Sequence, residues 1–206
     1  MQPNTCGRRS GMLASRYVRT LQHHPDAERP VAPPESLMEL QPVLHGPRIH
    51  LRPLKATDFD ALFAAASDPL IWEQHPAPDR HERKIFEQFF NRALKSRGAL
   101  VILDKTTQKI IGTSRYYDVE GKDSVCIGFT FLTRDYWGGA YNRELKFVML
   151  DHAFVYVRRA LFHVGEMNLR SRKSMEKIGA KLVGRLERQK PDGSPDPTVV
   201  FEIRRA

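Results

Sequence analysis

Cysteine is scarce in this chain: Cys6 and Cys126 are the two among 206 residues. That count excludes a disulfide framework and any C-x-x-C metal spacing, so no metal is expected and a reducing compartment, the cytoplasm, is. Long apolar runs are missing too. No stretch approaches the roughly 20 residues that a membrane-spanning helix needs, and no membrane partner is expected. Neither G-x-x-x-x-G-K-[ST] nor G-x-G-x-x-G occurs, which excludes a P-loop and a dinucleotide fingerprint. Acids are in deficit, with 24 Asp and Glu against 33 Lys and Arg, for a net charge of +9. The first twenty residues, "MQPNTCGRRSGMLASRYVRT", hold no acid at all. An organellar transit peptide and a disordered extension both look like this.

The positive balance suits an acidic partner: nucleic acid, a phosphorylated cofactor or an acidic protein surface. No recognised nucleic-acid motif is present, and direct nucleic-acid binding is not expected. Residues 1–42 have little periodicity and several prolines ("ERPVAPPES"), and read as a flexible or partly docked extension. Residues 43–206 read as one domain. "RIHLRPL" alternates as a strand. "KATDFDALFAAASD" follows as a helix with Thr57 or Asp58 as N-cap and Leu62, Phe63 and Ala66 on one face. "HERKIFEQFFNRALKSRG" is an amphipathic helix with Ile85, Phe89 and Phe90 inward and Gly98 as its stop. "ALVILD", "KIIGTSRYYD" and "SVCIGFTFLT" are successive strands. A long helix from Asn142, a strand "ALFHVGEM", a basic helix ended by Gly179 and a closing hairpin complete the chain. The fold class is α/β (α+β), with one strand–helix–strand crossover.

Two stretches carry chemistry. In "TRDYWGGAYNRELK", Gly138, Gly139 and Ala140 stand between a strand and a helix, where bare backbone N–H groups and the helix dipole attract an anion. A plain turn would also use these glycines. In "NLRSRKSMEKIGAKLVG", Asn168 is a natural cap and Arg170, Arg172, Lys173 and Lys177 make the helix basic. A solvated charged face is the alternative. Together, two helix starts could hold one long polyanion.

With both stretches in view, the chain resembles the GCN5-related N-acetyltransferases, close to the RimJ/RimL type. "DYWGGAYNRE" is similar to the acetyl-CoA loop [QR]-x-x-G-x-[GA], with Gly138 and Ala140 in place and Asp135 departing from Gln or Arg. Asn168, Ser171 and Gly179 match the second signature, and "RIHLRPL…DFDALFAAASDPLIWE" resembles the opening strand and helix. The resemblance implies a mixed, mostly antiparallel sheet, flanked by helices and splayed between the strands at 124–133 and 161–167, with pantetheine in the gap. It implies backbone contacts to acetyl-CoA from Phe131, Leu132 and Thr133, a pyrophosphate on the N–H groups of Trp137, Gly138, Gly139, Ala140, Tyr141 and Asn142, and a role for Asn168. Arg170 and Lys173 become candidates for the adenosine 3′-phosphate.

The implied reaction is direct acetyl transfer from acetyl-CoA, a co-substrate, to a primary amine on a protein N-terminus, ribosomal proteins included, or on a small molecule. Ser171 stands where the family has its thiolate acid, and Glu73, in "WEQHP", is the candidate base, with Asp118, Glu120 and His75 as alternatives. Relatives often carry Glu just before "IGY"; this chain has Cys126 before "IGF", so that role does not transfer. The departures at Asp135 and Cys126 motivate a second reading, a non-catalytic CoA-binding regulatory module. A homodimer is compatible with the sequence.

Overall fold

A computed structural model of the chain describes residues 37–189 and 193–205. Eight strands form one sheet: β1 (Leu44–His45), β2 (Ile49–Pro53), β3 (Ala99–Asp104), β4 (Ile110–Glu120), β5 (Ser124–Leu132), β6 (Arg159–Gly165), β7 (Lys181–Leu186) and β8 (Thr198–Arg204). Four α-helices accompany them: α1 (Phe59–Ala66), α2 (Arg83–Lys95), α3 (Ala140–Tyr156) and α4 (Leu169–Lys177). The sheet order is β1-β2-β3-β4-β5-β6-β8-β7, and every pair is antiparallel except β5–β6. No helix among the described residues is long and apolar enough to cross a membrane.

The mixed, mostly antiparallel sheet read from the sequence is the one observed. β3 reads as a continuous apolar run because both its faces are covered. Leu100 and Ile102 join Leu145, Met149 and Ala153 of α3 in one core, while Val101 and Leu103 join Leu62 of α1 and Phe86, Phe89 and Phe90 of α2 in the other.

β5 and β6 are joined by the α3 crossover and pair in parallel over three rungs, Ser124–Arg159, Val125–Ala160 and Cys126–Leu161. Both strands run on past the last rung, to Leu132 and Gly165. The sheet therefore opens into a V, the splay expected between these strands. β5 also carries a bulge against β4 between the Arg115–Gly128 and Thr113–Phe131 pairs. Phe129 sits in that bulge with φ +52, a left-handed conformation that a bulky residue adopts only under local constraint.

Several local details differ from the sequence reading. Phe86 lies fully buried on the inward face of α2, where Ile85 is only partly so. Arg97, at φ +50, takes the left-handed position after α2; Gly98 is needed instead because a Cβ there would lie 2.1 Å from the Tyr116 carbonyl oxygen. Asp58 stands at the α1 N-cap but its carboxylate bridges Arg52 and accepts from Lys55 N–H, so it braces the β2–α1 turn. β1, two residues long, is too short to show a period. Of the N-terminal extension, residues 1–36 lie outside the described residues. The described remainder is docked: Met38 is buried in the α3-side core, Gln41 Nε2 donates to Ala99 O, and His152 Nε2 donates to Glu39 O.

α3 is anchored to the start of β2 by a buried carboxylate. Glu144 Oε1 accepts from the backbone N–H groups of Arg48 (2.7 Å) and Ile49 (3.0 Å), and Oε2 from Arg48 Nη1. A Cβ on Gly46 would lie 2.3 Å from Glu144 Oε1, so a side chain there would have to displace this carboxylate. Glu144→Ala strands two donors, and urea denaturation should show a loss of about 2–4 kcal/mol. Gly46→Ala should lose stability in the same assay by displacing the same carboxylate.

Candidate active site

The open end of the V gathers two helix starts. β5 leads through a short 3-10 turn, Arg134–Tyr136, into Trp137, Gly138 and the Gly139 N-cap of α3. No side chain caps this helix, and among the described residues no protein acceptor reaches the N–H groups of Gly138, Gly139, Ala140, Tyr141 or Asn142. A Cβ on either glycine would meet nothing within 4 Å. The result is a row of exposed donors at the positive end of a 17-residue helix, a ready anion site. The first-turn side chains are occupied elsewhere: Tyr141 Oη donates to Asp104 Oδ2 (3.1 Å), and Asn142 Nδ2 donates to Ser174 Oγ (2.6 Å), tying α3 to α4.

The start of α4 is closed by the chain itself. Asn168 Oδ1 accepts from Ser171 N–H (3.0 Å), the cap expected from sequence, and Gln74 Oε1 accepts from Arg170 N–H (3.1 Å). Arg170 turns inward. Its guanidinium lies 4.1 Å over the Trp137 ring and Nη2 donates to Ile71 O (2.9 Å), and burial lowers its pKa. Lys173 is exposed, and the Ser171 hydroxyl is half-buried with no protein partner among the described residues. Glu73 is exposed, one residue before Gln74. The loop carrying it crosses the open end, held also by the Arg134–Asp68 ion pair and by Pro76 against Gly165.

The 131–133 stretch is partly committed to the protein. The Phe131 ring packs 5.1 Å from Trp72 in the α1–α2 core, Leu132 O accepts from Trp137 Nε1 (2.8 Å), and Thr133 N–H donates to Ile111 O (2.8 Å).

Polar groups that no sequence motif marked line the V on both faces. On the α3 side, the Lys146 ammonium is fully buried, donates to Thr130 Oγ1 (2.8 Å) and lies 5.5 Å from the Phe162 ring centroid. Burial alone pushes its pKa down to about 7. On the other face, Tyr117 Oη meets His163 Nδ1 at 3.2 Å, with Arg188 Nη2 at 3.0 Å from the same nitrogen. Burial, then the Arg188 charge, lowers the His163 pKa. Asp118, Cys126 and His163 bring ligand-type atoms within 4.8 Å of one another. A cation there would compete with Arg188 and need a thiolate, yet burial raises the Cys126 thiol to about 11.

The proposed alternatives for the base separate clearly. His75 is pushed down to about 3 by burial and then by Arg80, and its Nδ1 already accepts from Ala77 N–H, which removes it as a proton acceptor at neutral pH. Glu120 Oε2 accepts from Ser124 Oγ (3.0 Å) at the paired end of β5. Lys146 and His163 escaped the sequence reading because only the crossover and the strand register bring them to the V.

A sequence model for the acetyltransferase (GNAT) domain family matches residues 48–181. No curated protein matches the chain in sequence. Among solved structures, the chain is similar to a GCN5-related N-acetyltransferase from Brucella melitensis, at 22% identity over 80% of this chain and 79% of that one, with a TM-score of 0.67. It is similar to RimJ from Mycobacterium smegmatis in complex with CoA-disulfide, at 20% identity over 80% and 86% of the two chains, with a TM-score of 0.62. The microcin C7 self-immunity acetyltransferase MccE, in complex with acetyl-CoA and AMP, aligns at 13% identity over 78% and 94%, with a TM-score of 0.64.

The buried Lys146 makes stability depend on pH. The unfolded chain keeps this proton up to the ordinary value of 10.5, the folded one only to about 7. The destabilisation is therefore complete below pH 7 and fades as pH rises towards 10.5. Lys146→Met should raise stability at pH 7 by on the order of 1–4 kcal/mol. It should also flatten the rise in thermal midpoint between pH 7 and 10. A variant that melts lower across the whole range would refute this account of the buried charge.

Proposed function

The chain belongs to the GNAT acetyltransferase family, and we propose that it is a RimJ/RimL-type N-acetyltransferase that moves the acetyl group of acetyl-CoA directly onto a primary amine. The amine belongs to a protein N-terminus or a small molecule, and the acceptor and donor are bound together. The observation that carries this reading is the V between β5 and β6 with five unclaimed backbone N–H groups at its open end. The likeness to proteins held in complexes with CoA-disulfide and with acetyl-CoA supports it.

Acetyl-CoA, when bound, supplies the acetyl group as a thioester. Residues Gly138–Asn142 fit its pyrophosphate, because their donors are exposed and a helix dipole stands behind them, whereas the Trp137 N–H implied with them is spent on Arg134 O (2.9 Å). Beyond Cys126, β5 has no strand partner on its β6 side among the described residues, so its edge can pair with an extended pantetheine as it would with a strand. Lys173, exposed on α4, is free to meet the 3′-phosphate, whereas Arg170 serves by holding Trp137 and the 69–75 loop. Ser171, with an uncommitted hydroxyl beside the open end, would protonate the departing thiolate.

Two groups can take the amine proton. Glu73 is the carboxylate indicated by sequence, on the loop that crosses the site. His163 is half-buried at the mouth of the V and neutral at physiological pH, and it meets the requirement of a base once the Arg188 Nη2 contact to its Nδ1 gives way to the amine. Its pKa lies below the ordinary 6.5, so a His163-dependent kcat/KM falls on the acid side with an inflection below that value. His163→Gln should then remove the inflection and slow turnover by about 100-fold or more, whereas Glu73→Gln would carry the loss if the loop carboxylate is the base.

The donor site has a cleaner test. Gly138 has φ +70, so a side chain there strains the backbone, but Gly139 is extended and faces open space. Gly139→Val should weaken acetyl-CoA binding at least about tenfold in isothermal titration, with the thermal midpoint unchanged. Unaltered binding would sink the assignment of these N–H groups. Binding by the native chain without thiol release across a panel of amines would favour the regulatory reading, which the buried Cys126 in place of an acid motivates.

A further inference from the structure

Arg115 is an anomaly on the face of the sheet away from α3. It is 7% exposed, and its Nε and Nη2 have no hydrogen-bond partner. None of the ion pairs among the described residues involves it. The Phe129 ring centroid lies 4.2 Å from its guanidinium carbon and covers a face of the group and not its edge. Guanidinium does not shed its proton in proteins, so the charge stays and its donors stay unmet.

A second guanidinium deepens the imbalance. Arg80 is largely buried beneath the crossing loop, over Trp72 and Phe89, and Arg115 and Arg92 both act on it as like charges. Its Nη1 lies 3.2 Å from His75 Nε2. With His75 Nδ1 accepting from Ala77 N–H, the ring proton sits on Nε2, so Arg80 faces a donor there. Asp79 is the acid that offsets Arg80, whereas Arg115 has only the Tyr117 phenol, a group neutral at physiological pH, and no carboxylate. Burial pushes both guanidinium pKa values down to about 10, still charged at neutral pH.

The position of Arg115 relates this charge to the V. It pairs with Gly128, just past the last β5–β6 rung, and shares a strand face with Tyr117, which reaches His163. Residues two apart on a strand stand about 7 Å apart, so Arg115 and the Tyr117–His163 pair can touch one small molecule. The unmet atoms, Nε and Nη2, form the side-on fork of the guanidinium, two parallel donors that match the two oxygens of a carboxylate.

We propose that Arg115 anchors a side-chain carboxylate of the acceptor, so that the amine substrate is an acidic one: an acidic N-terminal residue of a peptide or a free acidic amino acid. The proposal rests on the acetyl-transfer reading. Nε and Nη2 are closed off from solvent, so the carboxylate completes the Arg115 fork as Phe129, a residue 41% exposed on the bulge, swings aside, and the amine then lies towards Tyr117 and His163.

The test compares acceptors that differ in the carboxylate alone. With acetyl-CoA and the full chain, a peptide beginning with Glu should be acetylated with a kcat/KM at least about tenfold above its Gln counterpart. Free glutamate against glutamine forms the second arm and shows whether the carboxylate comes from a peptide or from a free amino acid. Arg115→Met should bring each pair within about threefold, and Arg115→Lys, which keeps the charge but not the fork, should restore only part of the preference. Acetyl-CoA titration of both variants checks that the donor site is intact. Equal rates for the paired acceptors with the native chain would overturn the proposal, as would a preference that survives Arg115→Met. So would a stronger preference for a phosphoserine N-terminus. If the variants do not fold, the native chain answers alone: glutamate, and not glutamine, should raise its thermal midpoint. That melting shift needs no turnover, so a chain that shows it yet acetylates no amine refutes acetyl transfer and keeps the anion site, while a chain that acetylates without preference does the reverse.

Discussion

Parallel pairing between β5 and β6 stops after three rungs, and the placement of every candidate group depends on that arrest. Side chains link the two diverging strands on both faces. On one face the Lys146 ammonium donates to Thr130 of β5 and lies near the Phe162 ring of β6; on the other Tyr117 leans over Gly128, whose missing side chain gives it room, and meets His163. The bulge at Phe129 turns β5 away at the same level. Because α3 and α4 each follow one of the diverging strands, their starts are delivered to the same open end. The Asn142–Ser174 hydrogen bond then fixes the spacing between them.

The charge distribution inside the molecule matches this geometry. The net charge of +9 does not all lie on the solvated surface, since Arg115 is buried, Arg80 is partly buried, and the buried Lys146 amine holds its proton only up to about pH 7. Such groups cost stability unless something anionic meets them. Glu144, one turn below the exposed N–H row, could have repelled an anion. Its charge is instead absorbed by Arg48 and two backbone donors, so the helix end keeps its positive character.

Local signals were legible wherever chain neighbours decide the outcome. Gly138–Gly139 before a helical run marked the start of α3, Asn168 marked the cap of α4, and alternation marked the strands. What escaped depends on partners distant in sequence. Arg170 reads as one more solvated cation of a basic helix, yet Trp137 and the Ile71 carbonyl draw it inward. Lys146 reads as a polar position on an amphipathic helix, and only the divergence of β5 and β6 buries it. Arg115 sits in an alternating strand where an outward polar residue is ordinary, and the cover of Phe129 is invisible without the fold. Gly98 was correctly placed at the end of α2, but its reason lies in the carbonyl of Tyr116, eighteen residues on.

Cys126 occupies the last rung before the strands part, with its thiol buried and kept protonated. A thiol-specific reagent reaches such a sulfur only when the strands separate one step further than in the closed sheet. Labelling kinetics at this atom thus act as a clock for the breathing of the V. Any occupant that laces β5 to its missing neighbour must slow that clock, whatever chemistry follows.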